Sequence, residues 1–172
     1  IGRAVAAALT DSLLRSRLVE QAVSGGAFSS GGDFMSDVHF GGCACGALRY
    51  EIDDAPVFSN HCQCRDCQRK SGTGHGSYLT FPGRKSVKLK GDARHWDVVG
   101  DSGNVKTHAF CPICGSPVYL TFAAMPDLFT VHAASLDNPG RYKPQMVFYG
   151  VRGHAWDHVD RALPKFDRMP PA

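Results

Sequence analysis

Phe110-Cys111-Pro112-Ile113-Cys114-Gly115 is the stretch on which the reading of this chain turns. In a Cys-Pro-x-Cys-Gly knuckle the proline stiffens the turn and the glycine permits positive φ, so backbone N–H groups can point at sulfur. Two thiolates at this spacing approach one ion at about 2.3 Å each without a long loop to order. One knuckle supplies two ligands, and a structural zinc takes four. Cys43-Ala44-Cys45 is the complement, bracketed by Gly41-Gly42 and Gly46, which free the backbone to bend tightly. Of the seven cysteines that leaves Cys62, Cys64 and Cys67, within Cys62-Gln63-Cys64-Arg65-Asp66-Cys67. Three ligands and a vacant position are the arrangement that lets zinc do chemistry.

Metal-free cysteines acting as small hydrophobes would not be expected in three tight clusters. Cys64 and Cys67 also form a Cys-x-x-Cys dithiol pair. Tetrahedral sulfur suits iron as well as zinc at the four-cysteine site. The N-terminus shows no basic start, apolar stretch and small-residue cleavage site in order. A cytoplasmic, reducing setting follows, where metal binding is favoured over a disulfide framework, and an odd cysteine count argues against complete pairing.

The 172 residues suit one domain with a sizeable core, 43% being hydrophobic and 20% charged. Lys and Arg exceed Asp and Glu by 19 − 16 = 3, too little to argue for nucleic acid or a membrane surface. No apolar run approaches the roughly 20 residues of a membrane-spanning helix. Nothing in the pattern fixes an oligomeric state.

Residues 1–34 differ from the rest. Ala4, Val5, Ala7, Ala8, Leu13, Leu14, Leu18, Val19 and Val23 give a helix-forming stretch that dissolves into Ser24-Gly25-Gly26 and Ser29-Ser30-Gly31-Gly32. Met35 reads as a native start, and the upstream segment as an extension, tag or leader. Asp11 and Glu20 speak against an organelle presequence. From residue 35 to 172 the pattern is that of one domain of short strands: 47–52, 77–81, 86–89, 93–99, 105–110, 118–122 and 128–132, with a further strand at 145–149. Turns fall at Pro82-Gly83, Lys90-Gly91-Asp92, Asp101-Ser102-Gly103-Asn104 and Asn138-Pro139-Gly140. One helical turn is expected at 65–70. The natural class is antiparallel and mostly β.

Three motifs in order, Gly41-Gly42-Cys43-x-Cys45-Gly46-x-x-Arg49-Tyr50, Cys62-x-Cys64-x-x-Cys67-Gln68-Arg69-Lys70-Ser71-Gly72 and Phe110-Cys111-x-x-Cys114-Gly115, resemble the glutathione-dependent formaldehyde-activating (GFA, or centromere-protein-V/GFA) family. The resemblance runs roughly from Val38 to Pro170 and includes Ser135-Leu136-Asp137 and the tail Trp156–Met169. It implies a mostly β, Mss-four-like fold of small antiparallel sheets held by zinc. It implies two zinc ions, one structural on Cys43, Cys45, Cys111 and Cys114, one catalytic on Cys62, Cys64 and Cys67. The implied reaction joins a small thiol, glutathione, to formaldehyde, and run backwards it is that of a carbon–sulfur lyase. A thiol entering the open zinc position would be held as thiolate, ready to add to an aldehyde carbon. The chain departs from the family at Met146-Val147-Phe148 and Ala155-Trp156, where many members carry a His and a Pro-Trp pair.

Among other residues, His61 and His75 flank the three-cysteine cluster, His61 read as a neighbour of the site and His75 as a candidate fourth ligand. His108 and His132 read as structural histidines within strands. Arg84, Lys85, Lys88, Lys90 and Arg94 read as the solvated face of a hairpin, with steering of an anionic thiol by these or by Arg65, Arg69 and Lys70 as the functional version. Trp96, Trp156 and Phe148 read as core or pocket wall. The favoured function is a zinc-dependent lyase for a thiol–aldehyde adduct. A non-enzymatic zinc-stabilised binding module and a thiol oxidoreductase using Cys64 and Cys67 are the rivals. No side-chain base stands out. Deleting residues 1–34 is expected to leave zinc content and melting temperature unchanged. A truncated protein that melts several degrees lower would show the segment docked on the domain.

Overall fold

A computed structural model describes residues 38–169, so the helix-forming stretch and linker read in residues 1–34 lie outside the described residues. The chain begins as a hairpin of β1 (Val38–Gly42) and β2 (Arg49–Asp53), paired from Val38↔Asp53 to Gly42↔Arg49. β5 (Val87–Lys90) adds antiparallel to β2 and completes a three-stranded sheet in the order β1-β2-β5. A second sheet takes β3 (Phe58–Cys62), β4 (Gly76–Phe81), β6 (Arg94–Val99), β7 (Val105–Phe110), β8 (Pro117–Phe122), β9 (Met125–His132) and β10 (Met146–Phe148), in the order β10-β3-β4-β9-β8-β7-β6. Between β3 and β4 stands α1 (Arg65–Ser71), closed by Gly72 in the left-handed conformation. The one-turn expectation for this segment was thus short by a residue.

The mostly β expectation holds, with a departure from antiparallel pairing at the edge: β10 lies parallel to β3, Met146 beside Asn60 and Phe148 beside Cys62, and Val147 bridges in parallel to Lys165 of the tail. The chain reaches that edge by the long connection from β9, so the parallel direction follows from topology and not from local sequence. Two strands were missing from the sequence reading. β1 is rich in glycine, and β3, Phe-Ser-Asn-His-Cys, lacks β-branched residues. β3 is a strand because β4 and β10 flank it on either side, a tertiary cause that overrides propensity.

The larger sheet is buried on both faces over its central strands. Leu79 and Phe81 of β4, Phe129 and Val131 of β9, Tyr119 of β8 and Ala109 of β7 face the three-stranded sheet, where Leu48, Tyr50 and Ile52 complete one core. Phe129 and Tyr119 stack with ring centroids 4.8 Å apart. The alternate residues Tyr78 and Leu120 face the other way, onto Cys62, Cys64, Cys67 and Phe148, with Phe58, Phe122, Met146, Tyr149 and Phe166 around them. α1 and the C-terminal tail cover this second face. Val147 N–H bonds Pro164 O at 2.8 Å and Phe166 N–H returns to Val147 O at 2.8 Å, so the tail finishes the edge at β10. Gly91, at φ +90°, makes the turn from β5 to β6 with Ala47 O pressed against its Cα, where a side chain has no room.

Trp96 is not core: it is 51% exposed, with Lys70 Nζ 4.4 Å from its ring centroid. Trp156 is also exposed, stacked on His154 at 5.0 Å, whereas Phe148 is buried as expected.

Candidate metal centres

Cys43 and Cys45 sit in the turn of the β1–β2 hairpin, and Cys111 and Cys114 in the turn of the β7–β8 hairpin. The two tips meet. All four Sγ atoms lie within 4.8 Å of one another, with Cys43 and Cys45 sulfurs 3.5 Å apart and Cys45 and Cys111 sulfurs 3.7 Å apart. A disulfide would need about 2.05 Å, whereas four sulfurs at 2.3 Å from a central ion stand about 3.8 Å apart. The donor set therefore fits a tetrahedral thiolate site. Gly46 at φ +78° and Gly115 at φ +72° supply the left-handed turns. Leu48 N–H points at Cys43 Sγ at 3.2 Å and Ile113 N–H at Cys111 Sγ at 3.4 Å, as expected of such knuckles.

The second group is assembled from consecutive elements. Cys62 ends β3, Cys64 is the N-cap of α1, and Cys67 lies in its first turn. Their sulfurs also lie within 4.8 Å of one another, and all three residues are buried. Charge sharing inside each group is visible in the thiol acidities. Hydrogen bonds from Cys62 and then Cys67 pull Cys64 down to about 2. Cys62 is pushed well up, chiefly by Cys64. Cys67 is raised to about 12 by Cys64 and burial, against a lowering contribution from Cys62. At the other site Ser116 lowers Cys114 to about 5, while Cys43 and Cys114 raise Cys45 to about 12 against the pull of the Ala47 N–H. Neighbours support one thiolate in the three-cysteine group, while in the four-cysteine group Cys43, facing the Leu48 N–H, is lowered as well as Cys114; only a cation makes all of the sulfurs anionic together.

Neither histidine joins the three cysteines. His75 Nδ1 pairs with Asp157 at 2.7 Å, and Asp157 also accepts from Gln63 Nε2 at 2.9 Å. His61 Nδ1 meets Ser77 Oγ at 2.9 Å, and the rings of His61 and His75 pack edge-on at 4.3 Å. Burial, then His75, lowers His61 to about 4. His75 as a fourth ligand is thus replaced by His75 as partner of Asp157. The basic residues Lys88 and Lys90 are exposed as read, Lys88 pairing with Glu51 at 2.7 Å.

The sequence reading missed Gln68 and Gln63, which anchor the site. Gln68 Nε2 donates to Gln63 O at 2.9 Å and Arg152 O at 2.8 Å, while its Oε1 faces Arg65 Nη1 at 2.9 Å and His154 Nε2 at 3.2 Å. One buried amide thus ties the cysteine loop, α1 and the tail together. It also missed Tyr78, and it read His132 as a buried strand histidine without placing it on the cysteine face. The signal for Gln63, Gln68 and Tyr78 would have been polar side chains within segments otherwise reading as buried.

A groove of about 900 Å³ is lined by Cys43, Arg49, Lys70, His75, His132 and Trp156, among others. Cys62, Cys64 and Cys67 do not line it.

The family model of the glutathione-dependent formaldehyde-activating enzymes matches residues 38–152, well over half of the chain. The chain belongs to this family. A solved crystal structure of a Rhodobacter sphaeroides protein is similar to it, at 21% identity and TM-score 0.47, covering 58% of this chain and 88% of that one. Within the family frame both cysteine groups are places where a metal ion could be held. Among the described residues no helix is long and apolar enough to cross a membrane.

Gln68→Ala leaves the Gln63 and Arg152 carbonyls without their donor. Each lost partner in a buried network costs about 1–3 kcal/mol, so urea unfolding should show a loss of about 2–4 kcal/mol. A loss below 0.5 kcal/mol would mean that the tail is held by other contacts.

Proposed function

We propose that this chain is a zinc-dependent carbon–sulfur lyase acting on a thiol–aldehyde adduct such as S-hydroxymethylglutathione. In this reading Cys43, Cys45, Cys111 and Cys114 hold a structural zinc, and Cys62, Cys64 and Cys67 hold a second. The observation that carries it is the convergence of three buried thiols, joined among the described residues by no fourth Cys, His, Asp or Glu. When bound there, zinc would stabilise negative charge on sulfur or polarise a carbonyl oxygen, which are the two needs of thiol–aldehyde chemistry.

The residues of the chain supply orientation and charge. Lys70 and Lys106 stand by the site, Lys106 lowering Cys64 and Lys70 partly desolvated above the sheet. Lys70 also lines the groove, whose size suits a peptide-like thiol with carboxylates. Arg49 lines it too, but its guanidinium is held by Asp137, with one contact at 2.9 Å. Gln63 and Gln68 fix the backbone of the cysteine loop, so the sulfurs need little reorganisation to meet an ion.

One observation favours the rival binding module: all three cysteines are buried, as in a second purely structural site. The dithiol reading of Cys64 and Cys67 has less support, because Cys62 shares their sulfur cluster and no cysteine outside the two groups remains to act as a nucleophile.

Two experiments separate the readings. Mild chelation should remove one zinc from the three-cysteine site with the fold intact, and loss of the second should unfold the domain, because structural zinc binding is coupled to folding. A single tightly held ion, or iron, in fresh protein would contradict the two-zinc assignment. Formaldehyde exchange with glutathione and other small thiols should be followed by NMR. Cys64→Ser should abolish the catalysed exchange while the four-cysteine site keeps the fold. Wild-type rates equal to the spontaneous reaction for every thiol would sink the lyase. A rate that survives Cys64→Ser would remove the three-cysteine site from its mechanism.

A further inference from the structure

The face of the larger sheet that carries the three cysteines also carries buried polar groups short of partners. Tyr78 on β4 and His132 on β9 are each 5% exposed, and His108 on β7 is 2% exposed. His132 Nε2 and both ring nitrogens of His108 have no hydrogen-bond partner, and Tyr78 Oη has none beyond the Cys67 thiol it faces. Native interiors keep few such atoms, and those that persist commonly face a water, an ion or a ligand.

Their placement is continuous. Tyr78 packs in the cluster of Cys62, Cys64 and Cys67, with Gly76 beneath its hydroxyl where a side chain has no room. Tyr78 lies opposite His132 across β4 and β9, with ring centroids 4.9 Å apart, and His132 is also a wall of the groove. The row therefore leads from the groove to the sulfurs. Burial first, and then the charge of Lys70, lowers His108 to about 3 and His132 to about 4. Both imidazoles are neutral near pH 7, each with one N–H and one acceptor nitrogen, and the phenol adds a donor. Such a lining accepts a hydroxyl or a carbonyl oxygen and repels an apolar group.

We infer that Tyr78 and His132 form the subsite for the oxygen of the aldehyde-derived carbon, a reading that rests on the lyase proposal. In the cleavage direction the carbon–sulfur bond breaks with its electron pair going to sulfur. The O–H pair of the hydroxymethyl group becomes the second carbon–oxygen bond, His132 Nε2 takes up the proton, and the ring releases its other N–H proton toward the groove that His132 lines. In the reverse direction Tyr78 Oη donates to the oxygen as negative charge builds on it, and His132 returns the proton.

The test is Tyr78→Phe, with His132→Gln as the second variant. Loss of one donor to a developing oxyanion typically lowers turnover about 100-fold or more, so formaldehyde–glutathione exchange should fall by about that factor in Tyr78→Phe. Zinc content should not change, and the melting temperature should shift little, because the hydroxyl has no nitrogen or oxygen partner to lose. Affinity for S-methylglutathione, which lacks the oxygen, should stay within about twofold if the contact is specific to oxygen. Exchange that stays near the wild-type rate, or thioether affinity that falls in step with it, overturns the subsite and leaves the lyase standing. If the wild type shows no exchange at all, the lyase reading fails instead, and formate serves as the probe. Saturable formate-induced shifts of the His132 side-chain nitrogens, lost in Tyr78→Phe, would retain an oxygen pocket. Their absence in the wild type would overturn it.

Discussion

The meeting of two hairpin tips through sulfur is the constraint on which the rest of the structure depends. The β1–β2 hairpin and the strand β5 form a sheet of three short strands, too small to be independently secure without a partner surface. Its apolar side packs on the larger sheet, but packing alone is non-directional. The four cysteines fix where the sheets touch: Cys43 and Cys45 come from one turn, Cys111 and Cys114 from the other, 66 residues away between Cys45 and Cys111. Closing so long a loop costs chain entropy, and cooperative coordination by four sulfurs is the kind of interaction that offsets it. Smaller contacts reinforce the junction, including Tyr50 Oη to Ser135 Oγ at 3.1 Å and Asp137 N–H to Phe40 O at 3.0 Å.

With one face of the larger sheet thus covered, the other becomes the place where chemistry can be buried. α1 is only seven residues long, too short to be a stable helix by itself. It holds its position because Gln68 bonds the cysteine loop and the tail at once, and because Lys70 reaches over Trp96. Its position on the sheet encloses Cys64, Cys67 and Tyr78 together. The tail beyond β10 is likewise a working part of the site: Asp157, far along the chain, is bonded to both Gln63 and His75.

The cysteine groups were legible in the sequence because ligand spacing is local: three short motifs contain every sulfur, and glycines mark the turns that aim them. Most strands were legible because β4 to β9 carry β-branched and aromatic residues between turn residues. β3 was not, since its strand character comes from neighbours on both sides. The direction of β10 was not, since parallel pairing is a property of the path and not of Met146-Val147-Phe148. His108 and His132 were legible as structural histidines, but not the row they form with Tyr78. Pairing brings Tyr78 beside His132 and His108 beside Leu120, and register is a property that no single strand reveals. The partner of His75 was not legible for a related reason, because Asp157 enters only through the tail.

The two sulfur groups differ in surroundings in a way that bears on what each can do. In the four-cysteine group Cys45 and Cys114 are exposed, so the net charge of about −2 on a zinc with four thiolates would be dispersed by water. Such a site gains little by excluding solvent, and a closed ligand shell is what it offers. The three-cysteine group would carry about −1 with zinc, but in a buried setting where each charge is felt more strongly. Lys106 and Lys70 stand close enough to compensate that charge, and both lie on the same side as the unpaired imidazoles. A buried, nearly neutralised centre beside unused hydrogen-bonding groups is costly as mere scaffolding, because each unpaired atom weakens the fold. In burial and in neighbouring polar groups the second centre thus differs from the first.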